Sequence, residues 1–387
     1  MKIMEMKMNN FCECRLATQL PVSFDIVLVH DIFAVDADSS VLVSKDDRYR
    51  RRLIIIDEKV DLLFGDNIRA HCKHYDIDAI FFSISATEND KNIQTLMIIL
   101  EKLEEFKPQR RNEPIIAVGG GALLDMVGFA SSIYRRGIPY IKVPTTLVGL
   151  VDASVGAKTA INFSSKRNRL GTYYPPIFSY LDKNFLKTLD LLEISSGLGE
   201  IIKIAVIKDV KLFNILEKYC EKLYLTKFLD CEAADEVIYR SIVDMKDELQ
   251  DNLWEKNLER CVDFGHSFSP IIEMKSLIDD NVPSLTHGQA VALDVILSCV
   301  LSYNRSLLKE EELVKIINVV NKSNLPIMHP YFSDIELLIE SLADTIKHRN
   351  GNQNLPIPIE IGKYIFINDV TQNEIMDAIE TMSHFCK

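Results

Sequence analysis

No segment of the chain reaches the roughly 18 uninterrupted apolar residues that a membrane-spanning helix needs, so a bilayer span is not expected. Positive charge is also short. The 44 Lys and Arg face 56 Asp and Glu, a net charge of −12, which argues against a nucleic-acid partner because such surfaces cluster cations. A phosphorylated small molecule stays open if a local basic cluster works against the overall field. Cysteine offers no paired motif. Residues 12, 14, 72, 220, 231, 261, 299 and 386 are scattered, and Cys12-x-Cys14 lacks the two-residue gap of a zinc or redox motif. Free thiols in a reducing cytoplasm are the expectation. The opening MKIMEMKMNNFCECRL carries Glu5 and Glu13 and no sustained apolar core, unlike a secretory signal. Internal repeats and low-complexity tracts are missing as well. A soluble, intracellular protein is the reading that these absences leave.

What is present is an ordinary globular balance, 47% apolar and 26% charged, in a chain of 387 residues that is long enough for two cores. Residues 1–22 read as a loosely ordered tail. From Phe24, short β-branched runs (FDIVLV, RRLIIID, DAIFFSIS, EPIIAV, IPYIKV) alternate with helical stretches such as NIQTLMIILEKLEEF. That alternation marks an α/β domain with a largely parallel sheet. After about residue 185 the strand signals stop and three-and-four apolar spacing takes over, so residues 191–387 read as a helical domain and 23–190 as the α/β domain.

Five stretches carry chemistry. VGGGALLD, residues 118–125, follows an apolar run, and its glycines let the backbone approach a pyrophosphate at the next helix N-terminus; a plain tight turn is the alternative. Residues 142–171 supply Thr145, Thr146, Asp152, Lys158, Asn162, Lys166, Arg167, Asn168 and Arg169, a density of hydroxyls, amides and cations suited to phosphate or polyol recognition. Lys158 lies in the uncharged ASVGAKTAI and needs a partner if buried. In SSGLGEIIKIAVI, Glu200 and Lys203 share a helical face, and the apolar flanks imply a buried pair rather than a surface one. DFGHSFSP (263–270) and LTHGQAVALD supply His266 and His287. Either histidine alone is as readily a core or capping residue. With Glu200 they form the two-imidazole, one-carboxylate set of a catalytic zinc site with open positions, although 66 and 21 residues separate them.

In series, GGGALLD, PTTLVGLVDASVGAKT, GLGEIIKIAVI, DFGH and HGQAVA resemble the sugar phosphate cyclases, the superfamily of 3-dehydroquinate synthase, over residues 24–365. The resemblance implies an NAD-binding α/β domain, an all-α metal-binding domain, an active site between them, and a homodimer. By motif, Glu200, His266 and His287 match the metal ligands, with Zn²⁺ the default and Co²⁺ an alternative. Gly120, Gly121, Asp125, Thr145 and Thr146 match NAD contacts, as do Asp57, Glu88 and Lys91. Asp152, Lys158, Asn168 and Lys203 match residues around the substrate and its phosphate, and Arg136 matches an arginine lent to the neighbouring subunit's site.

The departures are informative. Where dehydroquinate synthases carry a Lys 21 residues before the first metal His, this chain has Met245; their Asn three residues before that His is Asp263, and the second His of GHxxxH is Pro270. These changes disfavour a carboxylated substrate. They are similar to the C7-cyclitol synthase branch, and Leu249, Asp263 and His348 resemble its 2-epi-5-epi-valiolone synthases. The implied reaction is cyclisation of sedoheptulose 7-phosphate with phosphate release, through transient NAD oxidation, β-elimination, re-reduction and intramolecular aldol closure. Demethyl-4-deoxygadusol synthase or 2-epi-valiolone synthase on the same substrate is the alternative. Dehydroquinate synthase itself requires Lys246 or Arg260 to replace the missing cation. A metal-dependent alcohol dehydrogenase fits the cationic cluster poorly, and a non-catalytic homologue requires a lost ligand.

Overall fold

A computed structural model of the chain describes residues 16–35, 42, 49–164 and 166–385. Strand β1 (Asp25–Leu28) is followed by β2 (Arg51–Asp57), α1 (Glu58–His74), β3 (Asp78–Ile84), α2 (Ile93–Phe106), β4 (Ile115–Gly119), α3 (Gly121–Ile133) and β5 (Tyr140–Pro144). A hairpin of β6 (Lys158–Phe163) and β7 (Lys166–Tyr173) then leaves the sheet, and β8 (Phe178–Leu181) returns to it. Six strands run parallel in the order β1-β8-β5-β4-β2-β3. The runs LIII of β2 and IIAV of β4 are apolar without alternation because the sheet has a core on each face. Leu53, Ile55, Ile115 and Ala117 face one; Ile54, Ile56, Ile116 and Val118 face the other.

The chain steps from β2 outward to β3 and then back across to β4. The carboxyl ends of β2 and β4 therefore flank a topological switch point, the place where open α/β sheets receive ligands. Asp57 ends β2 and caps α1, its Oδ1 accepting the N–H groups of Lys59 and Val60 at 2.9 and 3.4 Å. Helix α3 begins differently. Gly120 has no side chain to cap it, so its first N–H groups stay open where Gly120, Gly121 and Ala122 line the cleft.

From α4 (Leu191–Ile207) the chain is mainly helical: α5 (Val210–Leu225), α6 (Ala234–Gln250), α7 (Ser269–Ser276), α8 (His287–Asn304), α9 (Glu310–Lys322) and α10 (Ile335–His348). Helices α4 and α8 form its centre and are buried along almost their whole length. One expectation fails here. Strands return as an antiparallel hairpin of β9 (Leu355–Glu360) and β10 (Lys363–Ile367), before the final α11 (Gln372–Phe385). The run LPIPIE reads as broken because proline removes ladder donors, yet a two-stranded sheet leaves one side of each strand unpaired and tolerates it.

Residues 16–22 of the expected tail carry no helix or strand; residues 1–15, with Cys12 and Cys14, and Cys386 lie outside the described residues. The described cysteines are free, and no described helix is long and apolar enough to cross a membrane.

Candidate active site

A cleft of about 1760 Å³ runs between the carboxyl edge of the parallel sheet and the helical half. At its floor, Glu200 of α4, His266 of the loop before α7, and His287 at the start of α8 bring one ligand atom each to within 4.8 Å of one another. Both imidazoles turn Nε2 inward, 3.6 Å (His266) and 3.0 Å (His287) from Glu200 Oε1. The Glu200 carboxylate is buried and neither oxygen has a well-directed hydrogen bond, although the Lys203 ammonium lies 2.5 Å away. A buried anion facing two imidazole nitrogens is the donor set and the unmet need that a divalent cation satisfies. The residues fit the metal.

Backbone contact sets this spacing. A Cβ at residue 199 would fall 2.2 Å from the Gly288 carbonyl oxygen, and one at residue 288 would fall 1.7 Å from that of Ser196. Only glycine lets α4 and α8 touch this closely and puts Glu200 beside His287. Gly288 N–H also donates to Ser196 Oγ at 3.0 Å, and Thr286 with Gln289 forms a capping box at the start of α8. His266 is fixed to the same helix. Gly265 before it takes φ +76° against Val291 and Val295. Asp294, in the middle of α8, accepts the N–H groups of Ser267, Phe268 and Ser269 at 2.8, 2.6 and 2.9 Å through Oδ2.

Charge in the floor is strongly coupled. Burial would raise the Glu200 carboxyl, but Lys203 and the two histidines hold it well below the usual range. Burial opposes the Lys203 ammonium, and Glu200 and Asp152 more than offset it, so it stays charged. Burial and the Glu200 charge raise Asp152. His266 is depressed by burial and by Lys203; for His287 burial is outweighed by Glu273 and Glu200, which lift it to about 9.

The sheet side of the cleft gathers Asp57, Glu88, Lys91, Gly120, Gly121, Asp125, Thr145 and Thr146. Lys91 is buried, with Nζ 2.6 Å from both Asp125 Oδ2 and Asn168 Oδ1. Thr146 Oγ1 accepts the Gly149 N–H at 3.1 Å, closing the turn that carries Asp152. Uncapped amides of α3, small residues and a terminal strand carboxylate fit a dinucleotide.

Lys158, which would have needed a partner if buried, is 60% exposed to the cleft and reaches Glu255 Oε1 at 2.5 Å. Asn168, matched to the phosphate region, is held by Lys91 and by Asn162, so it belongs equally to the sheet side. Asp263, matched to substrate contacts, lines the cleft but is already gripped by Arg260, 2.6 Å to Oδ1, and by Arg349 at 3.5 Å. His348 stands half-exposed at the rim, 3.3 Å from Asp344. Met245, Leu249 and Pro270 line the cleft as well. Arg136 is not among its lining residues; it sits on the turn Tyr134–Arg136, where Arg135, Arg136 and Gly137 all take positive φ.

Sequence reasoning missed Glu255, Glu273, Asp294 and Arg349. Asp294 carried a readable signal, a lone carboxylate inside the apolar run AVALDVILSCV that demands partners once buried. Glu255 left no such mark. It occupies a left-handed position (φ +50°) in an irregular segment, and its Oε1 and Oε2 meet Lys158 and Arg260 only in three dimensions.

Comparison with known proteins agrees with this geometry. Residues 81–196 match the profile of the 3-dehydroquinate synthase N-terminal family and residues 197–349 that of its C-terminal family. A 2-epi-5-epi-valiolone synthase of Streptomyces albus is 42% identical over 370 residues, covering 94% of this chain and 89% of the relative. The demethyl-4-deoxygadusol synthase of Trichormus variabilis is 34% identical over 94% of this chain and 88% of its own. The solved 2-epi-5-epi-valiolone synthase of Streptomyces hygroscopicus, with NAD⁺ and Zn²⁺ bound, superposes with a TM-score of 0.89 at 40% identity, over 96% of this chain and 99% of that one. Two profiles that together run from 81 to 349, and relatives that align along nearly the whole length, place the chain in the 3-dehydroquinate synthase family.

Proposed function

We propose that the protein converts sedoheptulose 7-phosphate into 2-epi-5-epi-valiolone and inorganic phosphate as a homodimer, with NAD and Zn²⁺ as cofactors and Co²⁺ able to replace Zn²⁺. The observation that carries this reading is the absence of an unengaged cation on the Asp263 wall, among the described residues. Arg260 and Arg349 are both bound to Asp263, Met245 and Pro270 bring no charge, and Lys246 pairs with Asp247 away from the cleft. A substrate carboxylate would lie there unpaired against Asp263, whereas hydroxyl groups can donate to it. Likeness to 2-epi-5-epi-valiolone synthases along nearly the full chain supports the same choice.

The net reaction is redox-neutral: the bond from C7 to the phosphate oxygen breaks and a carbon–carbon bond closes the ring. Bound NAD supplies a hydride acceptor that later becomes the donor, and bound Zn²⁺ supplies a Lewis acid. Glu200, His266 and His287 would hold the metal. The α3 N-terminus with Gly120 and Gly121 would take the pyrophosphate, and Asp57 would face the ribose. Lys203, charged and buried beside Glu200, would orient a substrate oxygen by hydrogen bonding, with Asp152 facing it across the floor. Lys158 and Asn168 would bind the phosphate after exchanging their present partners for it. Arg136, which does not line its own cleft, would complete the phosphate site of the second subunit.

The test is incubation of purified protein with sedoheptulose 7-phosphate, NAD and Zn²⁺, following phosphate and identifying the product by NMR. Phosphate release with no accumulation of NADH and the valiolone product is the expected result. A different cyclitol would overturn the reading of Leu249, Asp263 and His348, and turnover of the carboxylated heptulosonate phosphate instead would overturn the substrate assignment.

A further inference from the structure

Resting on the metal centre of that reading, we infer that Glu273 is a positioning residue for His287, and that Arg167 tethers Glu273 from the other domain. Glu273 lies on α7, 3% exposed, in a helix whose sequence SPIIEMKS gives no hint of a role in the site. Its Oε2 is 3.0 Å from His287 Nδ1 and is in contact with Arg167 Nη1. Two contacts compete for His287 Nδ1: Glu273 Oε2 can only accept from it, while Arg167 Nη1, 2.9 Å away, can only donate to it. Because Arg167 Nη1 also contacts Glu273 Oε2, the carboxylate accepts both hydrogen bonds in this proposal, which leaves Nε2 of a metal-binding His287 free to face Glu200 and His266. A carboxylate behind a metal-binding imidazole fixes ring and tautomer in this way and raises its basicity. His266 has a weaker counterpart, the Phe264 carbonyl at 3.3 Å. The tether comes from β7. Arg167 Nε also reaches Glu88 Oε1 at 3.2 Å, and Glu88 in turn accepts from Asn162 at 2.8 Å. One guanidinium thus spans from the turn on the sheet side of the cleft to the support of a metal ligand. A lysine could hold either acid but lacks the fork to hold both.

The experiment measures Zn²⁺ affinity of the metal-stripped full chain by competition with a chromophoric chelator, with no substrate and no NAD present. Glu273→Gln lowers the affinity by about 10–100-fold. Arg167→Gln lowers it by a smaller factor, Arg167→Lys restores part of that loss, and the double variant is no worse than Glu273→Gln alone because the two act in series. The visible spectrum of the Co²⁺-loaded protein shifts in Glu273→Gln at saturation, while circular dichroism of the metal-free form does not. Wild-type affinity and spectrum in a folded Glu273→Gln variant would overturn the proposal. Should that variant fail to fold, unchanged affinity in Arg167→Gln overturns the tether. Wild-type protein that holds Zn²⁺ no better than a His287→Ala control refutes the metal centre itself, a separate failure.

Discussion

Gly199→Ala is the sharpest probe of how the floor of the cleft is built. The added methyl would sit 2.2 Å from the Gly288 carbonyl oxygen, where ordinary contact begins at 3.4 Å. Neither helix can rotate the clash away, since both atoms are tied to main chain. The helices must part by roughly 1 Å at this point, against a metal-ligand tolerance of about 0.2 Å. Alanine improves helix propensity by about 1 kcal/mol, and overpacking opposes it by about 1–3 kcal/mol. The net loss of stability is therefore at most ~2 kcal/mol, a fall of a few degrees in Tm. Metal binding responds far more strongly, because His287 moves with α8 away from Glu200. Thermal melts of the metal-free protein and chelator competition for Zn²⁺ separate the two effects. The expected outcome is a small drop in Tm with at least ~10-fold weaker Zn²⁺ binding. A folded variant with wild-type Zn²⁺ affinity would show that side chains, not the touching backbones, set the ligand spacing.

Three further outcomes follow from other parts of the molecule. Lys142 is fully buried, donates to the carbonyls of Ala153 and Gly156 at 2.7 and 3.0 Å, and is lowered by burial to about 8, Asp125 and Asp152 opposing the shift. The unfolded chain holds that proton up to about 10.5, so the Lys142 contribution to stability rises as pH climbs from about 8 to about 10.5. Denaturant melts across that window should show a steeper rise in wild type than in Lys142→Met; equal slopes count against a depressed lysine. Mixing inactive Arg136→Ala with inactive Lys203→Ala after subunit exchange should restore part of the activity if Arg136 serves the partner's site, and no recovery counts against the shared site. Asp263→Asn should weaken the hold on Arg260 and Arg349 and admit a carboxylated heptulosonate phosphate, read as a fall in its KM relative to that of the heptulose phosphate. Unchanged selectivity would remove Asp263 from the specificity argument.

Much of the architecture was readable because it is local. The strand runs, the helix-period stretches and the glycines closing β4 are all decided within about ten residues, where periodicity and turn chemistry act. Glu200 with Lys203 was readable for the same reason, an ion pair three positions apart between apolar flanks. Convergence of Glu200 with His266 and His287 was not: no period links residues 66 and 21 positions apart, and only the ordered likeness to a family tied them together. The partners of the site residues were hidden more deeply. Glu273 and Arg167 are 106 residues apart, and Lys158 and Glu255 are joined across two domains. Pairs of this kind depend on how the domains meet, which one-dimensional patterns do not record. The β9–β10 hairpin is local yet was missed: Pro356 and Pro358 weaken its strand signature, and a two-stranded sheet tolerates them.

The links that align His266 with His287 are made by groups other than the ligand atoms: three amides gathered on Asp294, and the bare backbones of α4 and α8. Small zinc modules build their fold around the ion, so that losing the metal and losing the structure are one event. This floor is instead a socket, assembled beforehand by the same core that holds the helices together. With Glu200, His266 and His287 as the proposed ligands, the fold should survive removal of the metal and the exchange of one divalent ion for another.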